Sequence, residues 1–521
     1  MLLFINFVIY KGKHKFANGS FSRAIFFMNF HTGGVKVKTS NNSLLFSSIV
    51  LVACASTSQA ALIEWNGAEG SDFNNAANWS GGVTPGVTDT AQFTTDGSHA
   101  ELSDNASVGE LSADVGRATV DLDGNNLDAE RGVTVKSQLT IKNGKFNETV
   151  GDSGPPKIIA VGNDNISDSS LVFDNVSFGD NFTNQGSLQY EIGTSGAGAL
   201  RLENGTSAVG QSAMIGKNGE LSLSGGSSLS LANELYGNGG RITIKEGSRV
   251  TATGASVANT KVLVDGEGSS FEMGPNGSLG TAKFQNGGKG QGWGVSLGDV
   301  TIDGAGSSFT SEGVSDVGKL EVRNHGELIA DNLNLSRESR ITLGEGKITT
   351  ASLDLNGGEL SGSGEIKGSL NNTRGGVVST GEFGGSMRVE GDYTQDESSK
   401  LEITLGDWST LGGYELNIDG VANLDGVLQI NLWDEFKPSI HDFFTLINAD
   451  KINGMFSDFV LPDLGFGMHW DWGYRRSYSG VNSFGLRIVS NASGKPVPEP
   501  YVLVLMTLSL AGMAGVRRFR K

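Results

Sequence analysis

The sequence predicts an all-β chain wound as a right-handed parallel β-helix, a solenoid in which short strands stack rung upon rung. Three observations point there. First, apolar-x-apolar pairs recur: Leu200/Leu202, Leu221/Leu223, Ile242/Ile244, Val262/Val264, Val300/Ile302, Leu320/Val322 and Ile341/Leu343. Their first members lie 21, 21, 20, 38, 20 and 21 residues apart, and 38 is close to two periods. Second, each pair is soon followed by glycine, at Gly205, Gly225, Gly247, Gly266, Gly304, Gly326 and Gly344. Third, one segment repeats almost word for word, as Val264-Asp-Gly-Glu-Gly-Ser-Ser-Phe271 and Ile302-Asp-Gly-Ala-Gly-Ser-Ser-Phe309.

The physical reason is burial. An apolar-x-apolar run sends two side chains to one face and one to the other. A single rung cannot bury that face, but a second rung on top of it pairs with its backbone and stacks like side chains inside. Glycine, Asn, Asp and Ser then turn the chain, because they tolerate positive φ or bond their own backbone. Glycine supplies 77 of 521 residues, about twice average usage, without a Gly-X-Y period. A leucine-rich repeat shares the period but needs an L-x-x-L-x-L word that does not recur here, and an array of two-sheet β-sandwiches is the other alternative. About 15 rungs between residues 90 and 385 would make a rod on the order of 70 Å long.

In chain order, residues 1–60 read as leader and signal peptide, with six basic residues and no acidic one. From Met28, a second candidate start, the parts run basic (Lys36, Lys38), apolar (residues 44–53) and small (58–60). Cleavage after Ala60 is the favoured reading. The alternative is a lipobox over residues 51–54, with Cys54 acylated. Cys54 is the single cysteine, so no intramolecular disulfide is available and stability falls to the stacked core. Residues 61–94 hold Trp65, Phe73, Trp79 and Phe93 and are expected to cap the amino-terminal end; a sugar-stacking platform is the alternative. Residues 95–385 form the repeat body. In residues 386–490 the rhythm changes, and strand-like runs with Trp408, Trp433, Trp470 and Trp472 suggest wider terminal coils or a small β-sandwich closing the rod.

Residues 491–500 read as a linker and 501–521 as a single transmembrane helix with a basic end. Residues 501–516 are mostly apolar, and Arg517, Arg518, Arg520 and Lys521 would stop on the cytoplasmic side of the inner membrane. Pro498 and Pro500 hold the preceding peptide extended and accessible.

The run Pro498-Glu499-Pro500, apolar span and basic end resembles the PEP-CTERM sorting signal, also labelled in some family collections as an ice-binding-protein carboxy-terminal domain. The opening W-N-G … N-W … P … D-T-A-x-F layout (residues 65–93) is similar to that of exported bacterial β-helix proteins with autotransporter-associated-type repeats. The words G-D-Y-T-Q (391–395), L-D-G (424–426) and I-N-G-M-F (452–456) look like the closing module of the same group. The resemblance implies a bacterial envelope protein recognised and cut near Pro498, Glu499 and Pro500 by an exosortase-type enzyme, alongside exopolysaccharide. A membrane-barrel autotransporter is disfavoured, because the carboxy-terminal region does not alternate as barrel strands do.

Charge narrows the partners. With six net positive charges before residue 61 and four after residue 494, a total of −18 leaves −28 on residues 61–494. Such a body repels nucleic acid and stays soluble. No cofactor, metal site or catalytic residue is expected. Residues 151–156 mimic a serine-protease loop but lack its second glycine, and His99, in a Gly-Ser turn, is no partner for it. Asp121-x-Asp123-Gly124-Asn125-Asn126-x-Asp128 is calcium-like in composition but not in EF-hand spacing. Residues 287–292 have glycine where a calcium-repeat aspartate belongs, and His325, His441 and His469 are scattered. Asp265 and Asp303 occupy equivalent rung positions, so a polysaccharide lyase or glycosidase is the alternative class to a structural, adhesin-like surface protein. Ice binding needs a regular threonine array, and Thr does not repeat at rung spacing.

Overall fold

Three parallel sheets share one interior in the computed structural model, which describes residues 60–147, 157–164, 168–179, 188–380, 385–406, 413–433, 436–465, 467–476 and 482–490. The expectations for the leader, Cys54, residues 151–156, Trp408, the Pro498–Pro500 motif and the tail fall outside these residues. Ala60 is the first residue described. Among the described residues no helix is long and apolar enough to cross a membrane.

The described residues are all-β apart from two short 3-10 segments, Ala76–Asn78 and Ser80–Gly82, and form a parallel β-solenoid of about 14 turns. Each full turn lays down three strands, which we assign to sheets A, B and C. Sheet B carries the repeat seen in the sequence. Its inward column runs Leu139, Leu171, Leu200, Leu221, Ile242, Val262, Ala282, Val300, Leu320, Ile341 and Leu360, each paired in parallel with the next. All are buried. The 38-residue gap is filled by Ala282-Lys283-Phe284, a rung whose first member is too small to stand out in an apolar pattern. Stacking at about 4.8 Å per rung leaves no sheet edge open along the length.

Sheet C follows sheet B across a tight corner. At this corner Asn143, Asn175, Asn204, Glu246, Asn286, Asn324 and Glu345 adopt positive φ, as do Gly225, Gly266 and Gly304. Gly326 and Gly344 do not; Asn324, His325 and Glu345 take the left-handed positions there instead. Just past the corner lies a column of buried hydroxyls: Thr206, Ser227, Ser248, Ser269 and Ser307. Ser307 donates to the Asp303 carbonyl at 2.8 Å and accepts from Gly287 N–H, one rung earlier, at 3.0 Å. Ser269 repeats this with Asp265 and Gly247. Each of these two hydroxyls therefore closes its own turn and satisfies a neighbouring backbone donor.

The two near-identical segments sit two rungs apart. Phe271 pairs with Gly290, and Gly290 with Phe309, so glycine is sandwiched between the two repeated phenylalanines. A β-carbon on Gly290 would overlap Phe309 and crowd Phe284.

At the amino-terminal end, Leu62–Glu64 pairs in parallel with Thr90–Phe93, and Phe73 N–H bonds Glu101 at the outer edge of sheet B. Trp65, Phe73, Trp79 and Phe93 pack ring on ring, with Trp65 and Trp79 centroids 5.0 Å apart. Towards the carboxy terminus the parallel ladders continue past residue 385: Gly364 pairs with Met387, Met387 with Leu416, and Leu416 with Ile447. The last two steps span 29 and 31 residues, so these coils are wider than the 20- and 21-residue turns of the body from Leu200 to Val262. The words resembling a closing module are successive rungs of sheet A. Thr394 pairs with Asn423 and Asn423 with Asn453, and their side chains bond in a column. Buried Gln395 donates to the Asp425 carbonyl at 2.7 Å, tying the first word to the second. Asp458–Val460 is the last strand to pair in parallel, on Val427–Leu432, and the preceding strand Phe443–Gly454 is covered by antiparallel Asn482–Ser490, which pairs with Met468–Arg476.

Candidate functional site

The acidic candidates are engaged in holding rungs together. Asp265 and Asp303 do share one column of sheet B, with Gln285 between them, so two rung spacings, roughly 10 Å, separate their backbones. Asp265 accepts from the Asn286 amide at 2.7 Å. Asp303 accepts from Asn324 at 2.7 Å and lies 3.1 Å from Arg323 and 3.4 Å from Lys283. The Asn324 bond, with Arg323 and Lys283, holds the Asp303 carboxyl below the usual carboxylate range. Burial pushes Asp121 up, but bonds from Lys142 and Asn143 outweigh it and leave its pKa lowered. Asp89, Asp96, Glu327 and Asp396 are lowered too. A glycosidase acid needs the opposite displacement.

The calcium-like segment does not converge. Asp121 faces Lys142 at 2.9 Å, Asp123 sits at a left-handed turn, and Asp128 is buried on the strand Asn126–Ala129. Among the described residues no cluster of His, Cys, Asp and Glu could hold a metal ion. His99 lies on the strand Ser98–Glu101, paired with Thr119, and not in a turn. Trp65 and Trp79 are buried among other rings, so they offer no open stacking face; Trp79 Nε1 donates to the Phe73 carbonyl at 2.7 Å. Threonines stack at Thr119 and Thr140, but the same outward column carries Arg201, Lys283 and Glu321 further along.

One concavity has the makings of a site. A groove of about 690 Å³ lies on the outer face of sheet C, at its corner with sheet A. Its polar row is a single outward column, in which Ser230, Thr251, Glu272 and Gln291 pair in succession. Its less polar wall is made at the corner by Ala232, Thr253, Pro275 and Trp293, with Pro275 paired to Trp293. Trp293 is 43% exposed. A second hollow of about 400 Å³ adjoins it, shares Glu272 and Gln291, and carries the row on to Thr310. Arg249 stands 3.4 Å from Glu272, and the Ser230 and Thr251 hydroxyls lie 2.9 Å apart.

The strand Lys289–Trp293 explains why the row and the aromatic project together. Both inward positions, Gly290 and Gly292, are glycine, and Phe284, Phe309, Met273 and Val295 fill the interior beside them. Lys289, Gln291 and Trp293 are left facing out. This strand overlaps the residues 287–292 that resembled a degraded calcium repeat; its Gly-x-Gly alternation is a packing device. The sequence signal available was Trp293 itself, the one tryptophan between residues 80 and 400. The chain matches no family model and no curated protein.

Proposed function

We propose that the chain is an exported bacterial surface scaffold, a structural or adhesin-like rod that contacts extracellular polysaccharide and is sorted through its carboxy-terminal tail. The observation that carries this reading is the continuity of the rung-to-rung ladder, in which the acidic residues serve as cross-rung ties. The buried aromatic quartet at one end and the antiparallel pair at the other act as caps on the stack, which keeps its terminal edges from pairing with other chains. A right-handed winding belongs to the same reading, since parallel crossovers take that hand in about 98% of cases. In the sorting step, Pro498, Glu499 and Pro500 are substrate residues for an exosortase-type enzyme. Residues 501–516 hold the chain in the inner membrane until it is cut, and Arg517, Arg518, Arg520 and Lys521 stop transfer.

Mass mapping of both termini of the protein recovered from the envelope and the medium tests the export half. Cleavage after Ala60 and loss of the tail are expected, with the tail retained in Pro498→Ala or Glu499→Ala. Removal of the tail from those variants would sink the sorting reading, and an acylated Cys54 would replace the Ala60 cut. Release of oligosaccharides from polysaccharide by the purified protein would instead favour the lyase or glycosidase class.

A further inference from the structure

We infer that the groove of sheet C beside Trp293 is a binding site for a neutral polysaccharide chain. The inference rests on the reading above that the rod contacts polysaccharide, and it assigns that contact to one place. A pyranose ring has apolar faces and a hydroxyl rim. It is bound by a flat aromatic surface together with hydroxyls, amides and carboxylates set beside it. Trp293 supplies the surface. The column Ser230, Thr251, Glu272, Gln291 and Thr310 supplies the polar partners at one rung spacing, about 4.8 Å, along a straight line. A row of this kind suits an extended repeating chain better than a compact ligand.

Other occupants fit less well. An extended peptide binds a sheet by adding a strand to an open edge, and the strands here are paired on both sides. Nucleic acid is repelled by a chain of net charge −18. The row's one carboxylate, Glu272, is paired with Arg249, so the groove has no excess of either sign with which to select a polyanion or a polycation. Trp293 also stands apart from the other exposed aromatics of the carboxy-terminal region, such as Trp472, which lies stacked on Phe459 with centroids 5.6 Å apart.

The test is affinity electrophoresis of the full chain in native gels cast with a neutral β-glucan, a neutral galactomannan or the polyanion alginate. At least one neutral gel is expected to retard the wild type, and alginate is not. Trp293→Ala should weaken that retardation about tenfold or more, and Gln291→Ala by a smaller factor. Trp472→Ala should migrate as wild type. A thermal melt of Trp293→Ala should stay close to wild type, since the side chain lies on the outer face of its strand and not in the core. If Trp293→Ala is retarded as strongly as wild type, or if alginate alone retards, the groove assignment fails while polysaccharide contact stands. If none of the three gels retards the wild type, both fail.

Discussion

The Asn324 side-chain amide donates to Asp303 Oδ1 at 2.7 Å, from a residue whose own backbone is left-handed at φ 51°. Asn286 makes the same bond to Asp265 from φ 54°. One residue type thus does two jobs: asparagine tolerates the left-handed turn, and its amide reaches back to the preceding rung. Asn324→Ala should cost about 1–2 kcal/mol, from backbone strain and the lost bond to a charged partner. Asn324→Gly should recover the strain and leave the bond's share. Urea melts check this: equal stability for the two variants would mean that backbone strain contributes nothing, and Asn324→Gly as stable as wild type would mean that the bond contributes nothing.

The buried hydroxyl column makes a sharper demand. Ser307→Ala strands the Gly287 N–H in the interior, and the expected loss is about 1–3 kcal/mol. Ser308, next in sequence and facing outward, is the control, with an expected change within about 0.5 kcal/mol on Ser308→Ala. Comparable losses for both would show that the column is not a specific tie.

Sheet B was legible because its inward positions are large aliphatics at constant spacing. The rung at Ala282 was not, since alanine falls below the contrast that periodicity needs. Sheets A and C were harder to see. Their inward positions mix Ala208, Gly290 and Ala213 with large residues, so the apolar contrast changes from rung to rung. Glycine as the sign of a corner worked at Gly266 and Gly304 but misled at Gly326, where Asn324 and His325 make the turn. The shared column of Asp265 and Asp303 was readable from the repeat; their consumption by Asn286 and Asn324 was not, because that partner lies a full turn away. The groove depends on four successive turns and one lone tryptophan, which no local pattern reports.

Stacking also predicts how damage spreads. Leu221 is buried between Leu200 and Ile242, and Leu221→Ala should cost about 2–5 kcal/mol. Because each rung touches only its neighbours, hydrogen exchange should quicken most in the rungs at 200, 221 and 242 and least near the amino-terminal rings. Uniform acceleration over the whole chain would show that the solenoid unfolds as one unit.

Acid and alkali should attack different places. Asp121, Asp303 and Asp396 have folded pKa values below 3.8 and Glu327 below 4.5, so the folded state binds their protons more weakly than the unfolded state does. Their stabilisation is present above those unfolded values and is lost as pH falls through the lower folded ones. Melting temperature should therefore drop on acidification below about pH 4.5, and Asp303→Asn should show a shallower drop than wild type. At the other end, burial raises the Tyr190 and Tyr393 phenols, and burial with Glu415 nearby pushes Tyr414 up to about 12. Folded tyrosines hold their protons more tightly, so this stability is complete below the unfolded value of about 10 and declines as pH rises beyond it. Tyr190, whose hydroxyl donates to the Val209 carbonyl at 2.7 Å inside the stack, should not ionise until its rungs open. An ultraviolet titration should then show part of the tyrosine signal appearing together with unfolding, and that part should shrink in Tyr190→Phe. A single smooth ionisation near pH 10 with the fold intact would contradict the buried placement of these rings.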